Sequence, residues 1–148
     1  MSDVEVKYWM SDFARQILPP LDRAKPGDAG IDLRACIEAS TLAEGQLIPT
    51  GIHVAIPEGY YGQVLGRSSL AMKGIVIPGG VIDSSYRGEI QVILINLGAQ
   101  PFVVNPGDRI AQLVILSIYT GAPMRVERLE DLGATERGAT GFGSTGRA

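Results

Sequence analysis

An all-β sandwich or barrel is the fold class this sequence predicts, and three observations carry it. Hydrophobic residues make up 45% of the 148 positions, enough for one real core. The 19 glycines and 9 prolines fall at short intervals and punctuate apolar runs of strand length. Several of those runs alternate apolar and polar residues with the period of two that puts one strand face inward and the other outward.

Element by element, V-E-V-K-Y (residues 4–8) alternates and reads as a first strand. The stretch through Pro19, Pro20, Pro26 and Gly27 reads as loop. A-G-I-D-L-R-A (29–35) gives a short strand with Ile31 and Leu33 on one face and Asp32 and Arg34 on the other. I-H-V-A-I (52–56) alternates between Gly51 and Pro57, and Y-Y-G-Q-V-L-G follows as another strand. S-S-L-A-M-K-G (68–74) predicts the one short helix, with Ser68 as N-cap. I-V-I, G-G-V-I-D and G-E-I-Q-V-I-L-I-N read as strands with a turn at 84–88, and the apolar run 90–95 places its strand centrally. I-A-Q-L-V-I-L-S-I-Y resembles a buried helix in hydrophobicity, but its β-branched content and its P-G-D boundary favour strand. M-R-V-E-R-L (124–129) reads as a last strand. A domain over 1–131 and a glycine-rich C-terminal arm over 132–148 are the expected organisation.

Composition also excludes functions. A net charge of -3 argues against a general nucleic-acid binder, which needs a basic face for phosphates. A single cysteine, Cys36, leaves no intrachain disulfide and no cysteine zinc site, and the single His53 leaves no histidine pair for a metal. Core or near-core packing is the expected place for both. With no signal-like segment and no membrane-length apolar run, a cytoplasmic protein is expected.

Polar residues recur where strands meet loops: Asp32; Arg67 with Ser68 and Ser69; Asp83 with Tyr86; Arg109 with Gln112; and Arg137 through Ser144. Taken singly, each is as well explained by a solvated face, a helix cap or a hairpin turn. G-F-G-S-T-G (141–146) has the glycine spacing of a P-loop, but Arg147 and Ala148 stand where Lys and Ser/Thr belong.

Taken together, five ordered segments resemble the five motifs of the homotrimeric deoxyuridine triphosphatase (dUTPase) family. They are A-G-I-D-L-R-A, G-R-S-S-L-A, G-G-V-I-D-S-S-Y-R-G-E-I, P-G-D-R-I-A-Q-L and R-G-A-T-G-F-G-S-T-G, spanning residues 29–146. The resemblance implies a distorted jelly-roll β-barrel assembling as a homotrimer. It implies hydrolysis of dUTP to dUMP and pyrophosphate by Mg²⁺-assisted attack of water on the α-phosphorus, which keeps uracil out of DNA and supplies dUMP.

It also implies residue roles. Asp83 would be the base that orients and deprotonates the water. Asp32 would hold the hydrated Mg²⁺ through water. Arg67, Ser68, Ser69, Gln112, Arg137, Gly143 and Ser144 would grip phosphates. Many members of the family carry glycine where Ser69 stands, which weakens the case for a Ser69 side-chain contact, while its backbone N–H would serve either way. Main-chain groups of Gly80, Val81 and Ile82, with the strand around Gln91, would pair with the uracil edge and leave cytosine mismatched. Tyr86 would lie against the deoxyribose and exclude a 2′-hydroxyl. Phe142 would stack on the base as the arm closes over a neighbouring subunit's nucleotide.

Three rival readings are weighed beside it. A dCTP deaminase of the same fold would need a glutamate where Ile93 stands and tends to have phenylalanine at the Tyr86 position. A catalytically dead nucleotide binder would not need both Asp83 and Asp32. A capsid-like jelly roll would have no use for the arginine-glycine arm.

Overall fold

The computed structural model describes residues 5–143. Eleven strands appear among them: β1 (Lys7–Met10), β2 (Ile31–Arg34), β3 (Thr41–Leu42), β4 (Gln46–Pro49), β5 (Ile52–Ala55), β6 (Tyr60–Leu65), β7 (Ile75–Val76), β8 (Val81–Ile82), β9 (Gln91–Asn96), β10 (Val103–Val104) and β11 (Arg109–Ser117). Helix α1 (Asp12–Ile17) follows β1, α2 (Ser68–Ala71) follows β6, and a 3-10 turn covers Leu129–Leu132. The class is all-β, as expected. Every strand pairing is antiparallel, in four small sheets ordered β1-β5, β3-β10, β2-β11-β6-β8 and β4-β9-β7. They enclose one core without closing into a continuous hydrogen-bonded barrel.

Alternation decides which side chains enter that core. Across the four-stranded sheet Leu113 lies opposite Val64 and Leu33 opposite Ala111, and all four are buried. The next row is Asp32, Gln112 and Leu65, and it faces outward. Ile48, Ile75, Ile90, Leu94 and Ile110 complete the interior, each stabilising the fold by about 1.5–3 kcal/mol relative to an exposed side chain. Thr50 is a buried polar residue, and its hydroxyl donates to the Ile90 carbonyl at 2.6 Å while accepting from Ile52 N at 3.2 Å. That hydroxyl ties the β4–β5 corner to the entry of β9.

Several local expectations change. Strand 4–8 becomes β1, starting at Lys7, with Val4 outside the described residues. The loop expected before Pro19 begins with α1, where the Ser11 hydroxyl accepts from Ala14 N at 3.1 Å. Asp12 sits in its first turn and Arg15 in its last, both favourable to the helix dipole. The N-cap of α2 is Arg67 rather than Ser68, so Ser68 is already helical and there is no side-chain cap. Residues 124–128 form no strand, although their sequence alternates. Met124 is 85% exposed, and among the described residues no strand pairs with this segment to take its backbone hydrogen bonds.

Segment β11 is a nine-residue strand and not a helix, as its β-branched residues suggested. Strand β9 is central in its sheet, yet only Val92 and Leu94 are buried while Ile93 is 37% exposed. Cys36 is buried and His53 half-buried, close to expectation. No helix among the described residues is long and apolar enough to cross a membrane.

Candidate functional site

The motif residues gather at two places. The first is the end of the four-stranded sheet where β2, β11 and β6 meet. The register puts Gln112 opposite both Asp32 and Leu65, so the Asp32 and Gln112 side chains stand side by side on the outer face. The Gln112 amide donates to the Gly66 carbonyl at 2.9 Å, just before Arg67. Arg67 donates from Nη1 to the Arg109 carbonyl at 3.2 Å, and the Arg109 guanidinium lies 3.7 Å from the Asp32 carboxylate. Ser68 and Ser69 open α2 and are exposed, and first-turn N–H groups have no intrahelical acceptor. One arginine pair, one amide and free backbone N–H groups therefore converge, a donor set suited to a polyanion, with one carboxylate beside them.

Sequence reasoning passed over Gly30. A Cβ there would sit 2.0 Å from Gln112 Oε1, so only glycine leaves the amide its place against Gly66. The signal was present in A-G-I-D, but nothing local shows that a side chain 82 positions later crosses it.

The second place is the opposite edge of the same sheet. Strand β8 pairs with β6 on one side only, leaving the other main-chain edge open. Exposed edge N–H and C=O groups are ready to pair with a planar donor–acceptor pattern. Gly80 lets the chain enter β8 tight against β6: its φ is +96°, and a Cβ would meet the Val64 carbonyl oxygen at 2.6 Å. A pocket of about 450 Å³ lies here, lined by Leu47, Gly80, Val81, Ile82, Asp83, Tyr86, Glu89 and Gln91. Six sequence-picked residues, Gly80, Val81, Ile82, Asp83, Tyr86 and Gln91, thus share one pocket. Asp83 is exposed at the exit of β8, and its main-chain carbonyl accepts from Tyr86 N at 3.0 Å to close the turn. The Tyr86 phenol donates to the Glu89 carbonyl at 2.8 Å.

Sheet geometry separates the two places. Asp32 and Asp83 are three strands apart across the order β2-β11-β6-β8. They are also about four residues apart along β6, because Asp32 shares a row with Leu65 while Asp83 follows the Ile82–Gly62 pair. At roughly 4.8 Å per strand and 3.3 Å per residue, the separation within one chain is on the order of 20 Å.

The described part of the arm, residues 132–143, joins neither place within this chain. Arg137 donates from Nε to the Thr140 carbonyl at 2.8 Å, closing its own loop. Phe142 is fully exposed with φ +51°, and Gly143 is exposed beside it. Ser144 lies outside the described residues.

No cluster of three or more His, Cys, Asp or Glu side chains able to hold a metal occurs among the described residues. A hydrated Mg²⁺ does not need one, since it keeps several waters and takes substrate phosphate oxygens. Asp32 fits that demand. Its carboxylate is 17% exposed and its guanidinium neighbour, at 3.7 Å, is too distant for a direct hydrogen bond.

Comparison with known proteins gives a consistent picture. A family model described as dUTPase matches residues 18–146. The chain is 50% identical over 125 residues to the deoxyuridine 5′-triphosphate nucleotidohydrolase of cowpox virus, covering 84% of this chain and 83% of that relative. It is 49% identical over 142 residues to the protein of the same name from Bordetella parapertussis, covering 90% and 91%. Its fold is similar to the Staphylococcus bacteriophage 80alpha dUTPase solved with dUPNHPP, at a TM-score of 0.80 and 27% identity over 97% of this chain and 99% of that one.

Proposed function

The chain belongs to the dUTPase family and is a dUTP diphosphatase, and from that premise we propose a mechanism shared between copies of the chain. Uracil pairs with the open edge of β8 and its neighbours around Gln91, where main-chain groups match its donor and acceptor order. Cytosine reverses that order and leaves buried groups unpaired. Tyr86 packs against the deoxyribose. Asp83, at the exit of β8, accepts a hydrogen bond from the attacking water, aligns it on the α-phosphorus and takes its proton. Pyrophosphate leaves, and dUMP remains on the β8 edge.

Arg67, Gln112 and the N–H groups of Ser68 and Ser69 hold the phosphates in line, which removes much of the entropic cost of attack. Asp32 would hold Mg²⁺ through water, and the ion would supply neutralisation of phosphate charge. Residues 132–148 act as an arm that closes over the nucleotide, with Phe142 stacked on the base and Arg137, Gly143 and Ser144 on the phosphates.

The separation of about 20 Å between Asp32 and Asp83 in one chain is the observation that carries this reading. No single nucleotide spans from a water on Asp83 to phosphates on Asp32 at that distance, so the two half-sites are supplied by different copies. A homotrimer closes the arrangement with equivalent sites. Pyrophosphate release from dUTP, dCTP, dTTP and UTP, with and without Mg²⁺, tests the proposal. Turnover of dUTP alone and its collapse without the metal are expected. Ammonia release from dCTP would instead require a proton shuttle that Ile93 cannot provide.

A further inference from the structure

We propose that Glu89 and His53 are positioning residues that brace the turn carrying Tyr86 against β5, and so set how firmly the site rejects a 2′-hydroxyl. The inference rests on the reading that Tyr86 meets the sugar. Neither residue was singled out by sequence for any role at the nucleotide.

The turn leaves β8 after Ile82 and enters β9 at Gln91. The Tyr86 ring lies back across it, because a Cβ on Gly88 would sit 2.4 Å from the phenol oxygen. The phenol hydrogen goes to the Glu89 carbonyl at 2.8 Å. Ring position therefore follows main-chain position at residues 88 and 89. That main chain is tied from outside the turn in two ways. The Glu89 carboxylate accepts from Gly51 N at 2.9 Å, and His53 Nδ1 lies 2.7 Å from the Arg87 carbonyl. A carbonyl can only accept, so Nδ1 carries the proton.

Both anchors are themselves fixed. Gly51 has φ +69° and is packed so closely that a Cβ would meet the Ala14 methyl at 2.5 Å. His53 stands edge-on to Trp9 with ring centres 5.2 Å apart, and the Arg15 guanidinium covers Trp9 at 5.6 Å. The brace thus runs from helix α1 and strands β1 and β5 to the phenol, using one charge-assisted hydrogen bond and one imidazole hydrogen bond.

The test is the ratio of kcat/KM for dUTP to that for UTP in a set of full-length variants. Glu89→Ala should lower the ratio about tenfold, as expected for losing a hydrogen bond to a charged group. Glu89→Gln should restore it, because the amide oxygen still accepts from Gly51 N. His53→Phe keeps the contact with Trp9 and loses the hydrogen bond, and should lower the ratio by a smaller factor; it serves alone if Glu89→Ala does not fold. Tyr86→Phe combined with Glu89→Ala should be no worse than Tyr86→Phe alone, since the two bonds lie in series between the phenol and Gly51. A merely structural role would lower thermal stability and both specificity constants together, leaving the ratio unchanged. If Tyr86→Ala admits UTP while Glu89→Ala and His53→Phe keep the wild-type ratio, the brace is refuted and the sugar reading stands. If Tyr86→Ala itself keeps the ratio, the sugar reading falls and takes the brace with it.

Discussion

At the end where β2, β11 and β6 meet, the protein presents side chains; at the β8 edge it presents its main chain. Asp32, Arg67, Arg109 and Gln112 are held by one another, through the 3.7 Å ion pair and the hydrogen bonds to the Arg109 and Gly66 carbonyls. The β8 edge relies on Gly80, on an unpaired strand border and on a turn fastened to β5. The difference fits what each end is proposed to bind. Phosphates are charged and rotationally permissive, so long charged side chains suit them. A base edge is a fixed row of neutral donors and acceptors, and rigid backbone reads it with less entropy lost.

Removing the proposed base at the β8 end should have the largest effect. Asp83→Asn is expected to lower kcat on the order of a thousandfold while nucleotide affinity, measured by titration calorimetry, stays near wild type. Equal turnover would take Asp83 out of its role as base. Deleting residues 138–148 should abolish turnover of dUTP with no loss of the thermal transition, because residues 138–140 and 142–143 are exposed. Full activity in the truncated protein would show that the two ends suffice without the arm.

A smaller effect separates the ends. Gly30→Ala puts a methyl where Gln112 Oε1 lies and breaks the bond to Gly66, so KM should rise about tenfold with kcat less affected. An unchanged KM would mean that Gln112 does not hold phosphate.

The smallest effect concerns the packing behind the β8 end. Burial pushes the Cys36 thiol above its ordinary value of 9.0, the nearby Glu89 charge adds to this, and a hydrogen bond with Ser11 opposes it. The neutral thiol is thus favoured in the folded state. Its contribution to stability is complete below the unfolded thiol's pKa and is lost as pH rises through the higher folded value. Denaturant midpoints measured upward from pH 8 should fall more steeply for the wild type than for Cys36→Ala; parallel curves would show that the thiol does not titrate against folding.

The two ends were also unequally legible in the sequence. Side-chain chemistry could be picked out from A-G-I-D-L-R-A and P-G-D-R-I-A-Q-L, and the period of two already put Asp32 outward with Leu33 in the core. Strand β11 was legible because β-branched residues and a Pro-Gly-Asp boundary favour strand over buried helix. Main-chain recognition leaves no side-chain signature, so the β8 edge was reached through resemblance alone. The brace was not legible because Gly51 and His53 meet residues 38 and 34 positions away. Helix α1 was missed although Ser11, Asp12, Arg15 and Pro19 mark its start and stop; the prolines drew the whole stretch into one loop. At 124–129 the reverse happened: alternation records an amphipathic segment, but a strand also needs a neighbouring edge, and none of the described residues supplies one there.

Subunit mixing tests most directly whether the two ends of one site come from different copies. Asp83→Asn and Asp32→Asn proteins, each inactive alone, are unfolded together, refolded as mixed assemblies and assayed for pyrophosphate release from dUTP. If one copy lends the β8 edge and another the β2–β11–β6 end, random mixing should return about a quarter of the wild-type activity per site. If each site is built within one chain, every site keeps a defect and the mixture stays as inactive as its parents, which would contradict the account.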